Sequence, residues 1–229
     1  MTNFSILNAV KYFSGEKHQI KAWEALWASL DDATKQAFIS QYRRLQDASD
    51  KFPLDAPYFW QRDSKTGHGE RMCFSSAMAM ALDYLDPEVI EGDDDWYLQQ
   101  VFRFGDSVSS EAQVAAAKSL GYSARFRMDG TENLLLKILD KGIPVPVGIL
   151  HHGDISSPSG GGHWITLIGY DERYFHVHDP FGELNVVRGG YNLDNGPTAG
   201  KNQRYTRENL MKRWMIDGSG CDGWLVDLR

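Results

Sequence analysis

A thiol, an imidazole and a carboxylate follow one another along the chain as Cys73, His163 and Asp179, each in a setting that suits chemistry. Cys73 opens Cys73-Phe74-Ser75-Ser76, where apolar residues at helical spacing begin. At a helix start, unpaired N–H groups and the positive end of the dipole favour a thiolate over a thiol. The preceding Gly67-His68-Gly69 lets backbone come close to a ligand. Taken alone, Cys73 would serve equally well as a buried, inert thiol. His163 follows Gly160-Gly161-Gly162 at the mouth of an apolar strand, and three glycines leave that loop without bulk against a peptide lying across it. If the strand from Tyr174 returns as a hairpin, His163 lies opposite Asp179, Pro180 or Phe181. A carboxylate then stands where it can accept the Nδ1 proton and fix the tautomer. A slip of one residue would turn Asp179 to the wrong face.

A second chemistry is open to the histidines. His176-x-His178 puts two imidazoles on one face of a strand, with His151, His152, Asp154 and His163 as further ligand candidates for zinc. The His-x-His pair is also found in zinc peptidases that cut peptidoglycan. Their upstream His-x-x-x-Asp element is missing, since His151 and Asp154 are separated by only two residues. Cys221, in Gly218-Ser219-Gly220-Cys221-Asp222-Gly223, reads as a loop thiol. The acidic run Glu91-Gly92-Asp93-Asp94-Asp95 lacks the oxygen-ligand spacing of a calcium loop and reads as a solvated turn.

The elements that must position these groups follow from periodicity. Ile20, Trp23, Trp27 and Leu30 form one apolar stripe, Asp31-Asp32 offers an N-cap, and Phe38, Tyr42 and Leu45 continue a second helix. Residues 5–13 suit a shorter first helix, and residues 46–57 a polar linker. The expected division is therefore a helical extension over residues 1–50 and a main domain over residues 57–229. Within the latter, residues 73–85 carry a helical face of Ala77, Met80, Ala81, Tyr84 and Leu85, ended by Pro87. Ser110 with Gln113 suggests a capping box, and Gly121 a helix stop. Strands are expected over residues 122–128, 143–150, 163–170, 174–179, 184–188 and 224–228, with helices at 131–141 and 206–214. Helices first and antiparallel strands later make an α+β fold.

Tyr58-Phe59-Trp60-Gln61-Arg62-Asp63, Cys73 opening an Ala- and Met-rich helix, Gly162-His163-Trp164-Ile165, and His178-Asp179-Pro180-Phe181-Gly182 together resemble the papain-like cysteine peptidases of the bacteriocin-leader-peptidase-like branch. The similarity covers roughly residues 57–188. It implies a papain-like fold, with the helical part that carries the nucleophile packed against a mostly antiparallel sheet. It also implies Cys73 as nucleophile, His163 as general base and then acid, Asp179 as orienting group and Gln61 as oxyanion donor. The chain departs from the family in Phe74-Ser75-Ser76, where a Gly-Pro or similar small turn is usual, and in the longer spacing from Gln61 to Cys73. Relatives cut peptide leaders or cell-wall stem peptides. With no transporter span here, the resemblance points to stem peptides and to a released, phage lytic or virion-associated enzyme. A papain-like module that binds peptide without cutting it is the remaining alternative. The N-terminal helices would dock substrate, inhibit, or pack on the core.

Composition sets the outer limits. The chain has 229 residues, 42% hydrophobic and 12% aromatic, enough for a substantial core. A net charge of -7 argues against nucleic acid as a partner. No stretch approaches the roughly 20 apolar residues of a membrane span. The N-terminus lacks the basic flank and apolar run of a secretory signal. Two cysteines, with no Cys-x-x-Cys pair, are too few for a disulfide framework or a sulfur-based zinc site. The papain-like reading calls for no cofactor and no metal.

Overall fold

The computed structural model describes residues 25–37, 53–192 and 195–229. The chain divides into two units, Met1–Asp50 and Lys51–Arg229. In the first, residues 25–29 and 32–37 are helical, and the expected cap lies between them, with Asp31 Oδ1 accepting the Thr34 N–H at 2.7 Å. Ile20, Trp23, Phe38, Tyr42, Leu45, the helix expected at 5–13 and residues 46–52 of the expected linker lie outside the described residues.

In the second unit a 3-10 turn, Gln61–Asp63, precedes three helices: α1 (Cys73–Leu85), α2 (Asp94–Phe102) and α3 (Ser110–Ser119). Then come β1 (Ala124–Gly130), α4 (Glu132–Leu139), β2 (Val145–Ile149), β3 (His163–Tyr170) and β4 (Tyr174–His178). The short β5 (Glu183–Leu184) and β6 (Tyr191–Asn192) are followed by β7 (Gln203–Thr206), α5 (Arg207–Trp214) and β8 (Gly223–Leu228). Six strands form one sheet in the order β1-β8-β2-β3-β4-β7, with every neighbouring pair antiparallel. β5 and β6 pair separately. This is the expected α+β architecture.

Side-chain alternation divides the core between the two faces of the sheet. Val145, Val147, Ile149, Ile165 and Leu167 pack with Leu135 and Leu139 of α4 and Leu210 and Trp214 of α5. Trp164, Val226 and Leu228 pack with α1, α2 and α3 on the other side. With both faces covered, β3 is buried from its first residue to Gly169, which explains its unbroken apolar sequence. α1 is buried at every residue from Phe74 to Leu82. Phe74 stacks on Trp164 at 3.5 Å between centroids and 4° between planes, tying the start of α1 to β3. Thr166 Oγ1 donates to the Ala77 carbonyl at 2.9 Å and ties them a second time.

Several local expectations shift. α3 is capped by Ser109, whose Oγ accepts the Ala112 N–H, and not by Ser110; Gln113 is drawn away from a capping box to bond Ser75 and Ser107 in the interior. The acidic run opens α2. Asp93 caps that helix by accepting the Asp95 N–H, as acids at a helix N-terminus do, and Asp94 is buried. Leu54 and Ala56, expected in the linker, pack on Ile168, and the Leu54 N–H donates to the Ile168 carbonyl. The strand expected at 184–188 ends at Leu184, and β1 begins two residues later than its pattern suggested. Among the described residues no helix is long and apolar enough to cross a membrane.

The Thr166–Ala77 bond is a specific link between α1 and β3. Thr166→Val keeps the shape and removes the donor. It is expected to lower unfolding free energy by about 1 kcal/mol in a denaturant titration.

Candidate active site

Cys73 is the first residue of α1, and its cap, Met72, supplies no side-chain hydrogen bond to the first turn. The helix start is instead anchored from behind. Gln113 Nε2 donates to Ser75 Oγ at 2.7 Å and to the Ser107 carbonyl at 2.8 Å, and Ser107 Oγ donates to the Arg71 carbonyl at 3.2 Å. Arg71 also pairs with Asp106 at 2.8 Å. Cys73 itself is half-buried at the head of that turn, ahead of the buried Phe74, Ser75 and Ser76.

His163 is the first residue of β3 and is buried. Its Nε2 donates to Asp179 Oδ1 at 2.8 Å. The hairpin register is Thr166 opposite His178 and Leu167 opposite Val177, with an irregularity before Gly169 and His176. Continued toward the strand ends, it sets Phe181 across from His163, within the expected range. The expected ring nitrogen is corrected, however. Asp179 takes Nε2 and leaves Nδ1 for Cys73, because the carboxylate reaches the ring from beyond the end of β4. Burial by itself disfavours an imidazolium here. The Asp179 charge, then that of Cys73 and hydrogen bonds to both, outweigh burial and push the His163 pKa up to about 10.

Asp179 is fully buried and takes part in five further hydrogen bonds. Oδ1 also accepts the Phe181 N–H at 3.0 Å, while Oδ2 accepts the hydroxyls of Tyr191 at 3.0 Å and Tyr205 at 3.2 Å. Its own N–H donates to the Gly200 carbonyl and its carbonyl accepts from Tyr58 Oη. Burial, then the Asp179 charge, raise the pKa of Tyr191 and Tyr205 well above the ordinary tyrosine value, so both remain hydroxyl donors.

Gln61 is buried in the 3-10 turn. Its N–H donates to the Pro180 carbonyl, which places it beside the residue after Asp179, and Nε2 donates to the Gly69 carbonyl at 2.6 Å. The long spacing from Gln61 to Cys73 is taken up by a loop that folds back at Gly69, where a Cβ would lie 2.7 Å from the Gln61 carbonyl oxygen. Oε1 of Gln61 has no partner.

Two further residues border the site: His151, expected only as a zinc-ligand candidate, and Arg213, which has no local sequence signal. His151 stands with its ring centroid 5.3 Å from that of His163. Burial, then the charges of His163 and His152, hold its pKa down at about 4, so it is neutral at physiological pH. The buried Arg213 holds the loop that carries His151, donating to the carbonyls of Leu150, His152, Gly153 and Val186. A cleft of about 340 Å³ opens at Cys73 and Phe74, floored by Gly148, Ile149 and Leu150 and edged by Gly160, Gly161 and Gly162. Trp164, Trp224, Ile216 and Val108 make it largely apolar.

The zinc arrangement is not formed. His178 Nε2 bonds the Ala56 carbonyl and its Nδ1 accepts the Asn202 N–H, so neither nitrogen is free for a metal. His176 faces Asp171. Among the described residues no three His, Cys, Asp or Glu side chains are grouped to hold a metal ion. Cys221 is exposed in its loop, as expected.

A His pKa raised in the folded state gives stability that is complete below the ordinary 6.5 and is lost as pH rises through about 10. An NMR titration should find the His163 imidazolium persisting well above neutrality. Asp179→Asn should bring that titration down.

Residues 53–220 match the family model described as Peptidase_C39 like. No curated protein sequence matches the chain significantly. Among solved structures, a candidate C39-like peptidase from Bacillus anthracis is similar at 16% identity and a TM-score of 0.50, over 76% of this chain and 94% of that one. The peptidase domain of Streptococcus ComA, a bi-functional ABC transporter involved in quorum sensing, aligns at 16% identity over 69% of this chain and 91% of its own, TM-score 0.46. A double glycine motif protease from an AMS/PCAT transporter, solved with its leader peptide, aligns at 16% identity over 77% and 92%, TM-score 0.44. With more than half of its length matched by the family model, the chain belongs to the Peptidase_C39-like family and is a cysteine peptidase of papain-like fold.

Proposed function

We propose that Cys73, His163 and Asp179 form the catalytic triad, with Gln61 as an oxyanion donor. The observation that carries this reading is the buried His163–Asp179 pair, whose other ring nitrogen is left for the cysteine at the head of α1. Asp179 keeps the ring in one orientation and stabilises its charged form. The Cys73 thiolate attacks the scissile carbonyl carbon, and the electron pair of the C=O moves onto oxygen. The Cys73 N–H and the second N–H of Gln61 Nε2 stabilise that oxyanion, each contributing on the order of 3 kcal/mol. His163 gives its Nδ1 proton to the leaving nitrogen as the C–N bond breaks, and a thioester remains. The neutral ring then takes a proton from water, the hydroxide adds to the thioester, and loss of the thiolate restores the thiolate–imidazolium pair.

The cleft indicates the substrate class. Gly160, Gly161 and Gly162 present backbone only, and Gly148 keeps the floor flat, which suits an extended peptide with small residues at the cut. Cell-wall stem peptides, with their alanine-rich backbones, meet that requirement and are the substrate we propose. A peptide with a small-residue pair before the cut, as in a leader, is the competing substrate. Digestion of purified cell-wall fragments and of a peptide panel, followed by mass spectrometry, separates the two.

Cys73→Ala is expected to abolish hydrolysis with an unchanged circular dichroism spectrum, and retained turnover would overturn the triad. Gln61→Ala is expected to lower kcat by about 10²-fold with a smaller change in KM, since an oxyanion donor acts in the transition state.

A further inference from the structure

The apolar cleft has one acidic wall. Asp222 lines it together with Trp214, Ile216 and Trp224, at the end contributed by α5, β8 and the loop between them. The loop fixes the carboxylate's orientation. Oδ2 accepts the Asp217 N–H at 2.7 Å, Asp217 Oδ1 accepts the Ser219 N–H, and Ser219 Oγ accepts the Cys221 N–H. Gly218 and Gly220, at φ of 74° and 76°, allow the turn. Oδ1 is enclosed, and the Asp217 carboxylate lies within hydrogen-bond reach of the Asp222 side chain. Two neighbouring carboxylates concentrate negative charge at one end of an otherwise apolar cleft, and a cation arriving there offsets it. The other charged group lining the cleft is Arg213, whose guanidinium is committed to four carbonyls of the 150–153 loop and of Val186, so it does not neutralise Asp222.

We infer that this end of the cleft is a subsite for a substrate residue with a long aliphatic side chain ending in an ammonium group. The inference rests on the peptidase reading above and adds the side chain that is selected. Ile216 and Val108, both largely exposed, offer surface to the aliphatic stem. The ammonium is drawn to Asp222, and the exposed Trp224 ring adds cation–π attraction. A carboxylate side chain entering the same subsite meets repulsion. A norleucine side chain keeps the apolar contact and leaves the acidic end without a counter-charge. Ordinary peptides present such a group as lysine, and stem peptides present it as a diamino acid.

The test uses the full chain and fluorogenic peptides with a Gly-Gly or Ala-Ala centre, carrying lysine, norleucine or glutamate at each of four positions on either side. A second arm uses purified stem peptides with the diamino acid free or N-acetylated. At one position lysine should exceed norleucine by about tenfold in kcat/KM, with glutamate poorest, or the free stem peptide should exceed the acetylated one by a similar factor. Response in only one arm identifies the source of the ammonium. Asp222→Asn, which retains an acceptor for the Asp217 N–H, should bring the ratio toward one, and Asp222→Glu should preserve it. The same ratios, read as dissociation constants with Cys73→Ala, test the subsite without turnover. No ammonium preference in either arm, or a preference that survives in Asp222→Asn, overturns the inference. Absence of Cys73-dependent cleavage with the binding preference intact would instead overturn the catalytic assignment.

Discussion

A carboxylate that water cannot reach is tolerable only if its lone pairs meet donors, and Asp179 imposes that demand on much of the fold. His163 from β3, the Phe181 amide, Tyr191 from β6 and Tyr205 from β7 all converge on its two oxygens. Its backbone adds Gly200 and Tyr58. Removing any one donor leaves an incompletely satisfied buried charge, a penalty larger than the bond's own net contribution. The electrostatic arrangement that turns the imidazole toward Cys73 is therefore also what brings the short β5–β6 ribbon and the loop before β7 to the edge of the site. Gly200 has a steric part in this, since any Cβ there would collide with the Asp179 carbonyl.

On the opposite side of the cleft the constraint is apolar. α1 is enclosed along nearly its whole length, and its small residues let α2, α3 and β3 approach closely. A helix enclosed in this way has little freedom to slide or roll. Its first turn, where Cys73 lies, inherits that rigidity through Phe74 on Trp164 and through Gln113 on Ser75. One reactive group is thus held by packing and the other by charge, and the cleft is the space between the two.

The legible parts of the sequence were those with a local cause. α1 and β3 fall where periodicity and apolar runs placed them, because burial on all sides leaves a strong pattern. The hairpin register came within reach because a short loop limits the pairings. Gln113 misled as a capping residue because a Ser-x-x-Gln spacing carries no trace of the interior partners that claim the amide. α2 was hidden behind acids that read as solvent-facing. Tyr191, Tyr205 and Arg213 contribute through contacts far apart in sequence, and no single-chain pattern marks them; His151 stood out only as a zinc-ligand candidate, since its packing against His163 has no local trace. The ring nitrogen that meets Asp179 depends on the direction of approach, which register alone does not specify. The papain-like resemblance supplied the candidate roles, and its Gln61 spacing is accommodated by the fold-back at Gly69.

The strand order has a consequence for biogenesis. β8 lies between β1 and β2, so the sheet is split until the last of its strands has been made. Before then β2 lacks one neighbour, β1 lacks its sheet partner, and Trp224 and Asp222 are missing from the cleft. A ribosome-bound chain can collapse around α1 and the β3–β4 hairpin, but it cannot close the sheet or complete the cleft. Closure of the sheet and completion of the cleft therefore wait on β8, although Cys73, His163 and Asp179 all precede it in the chain.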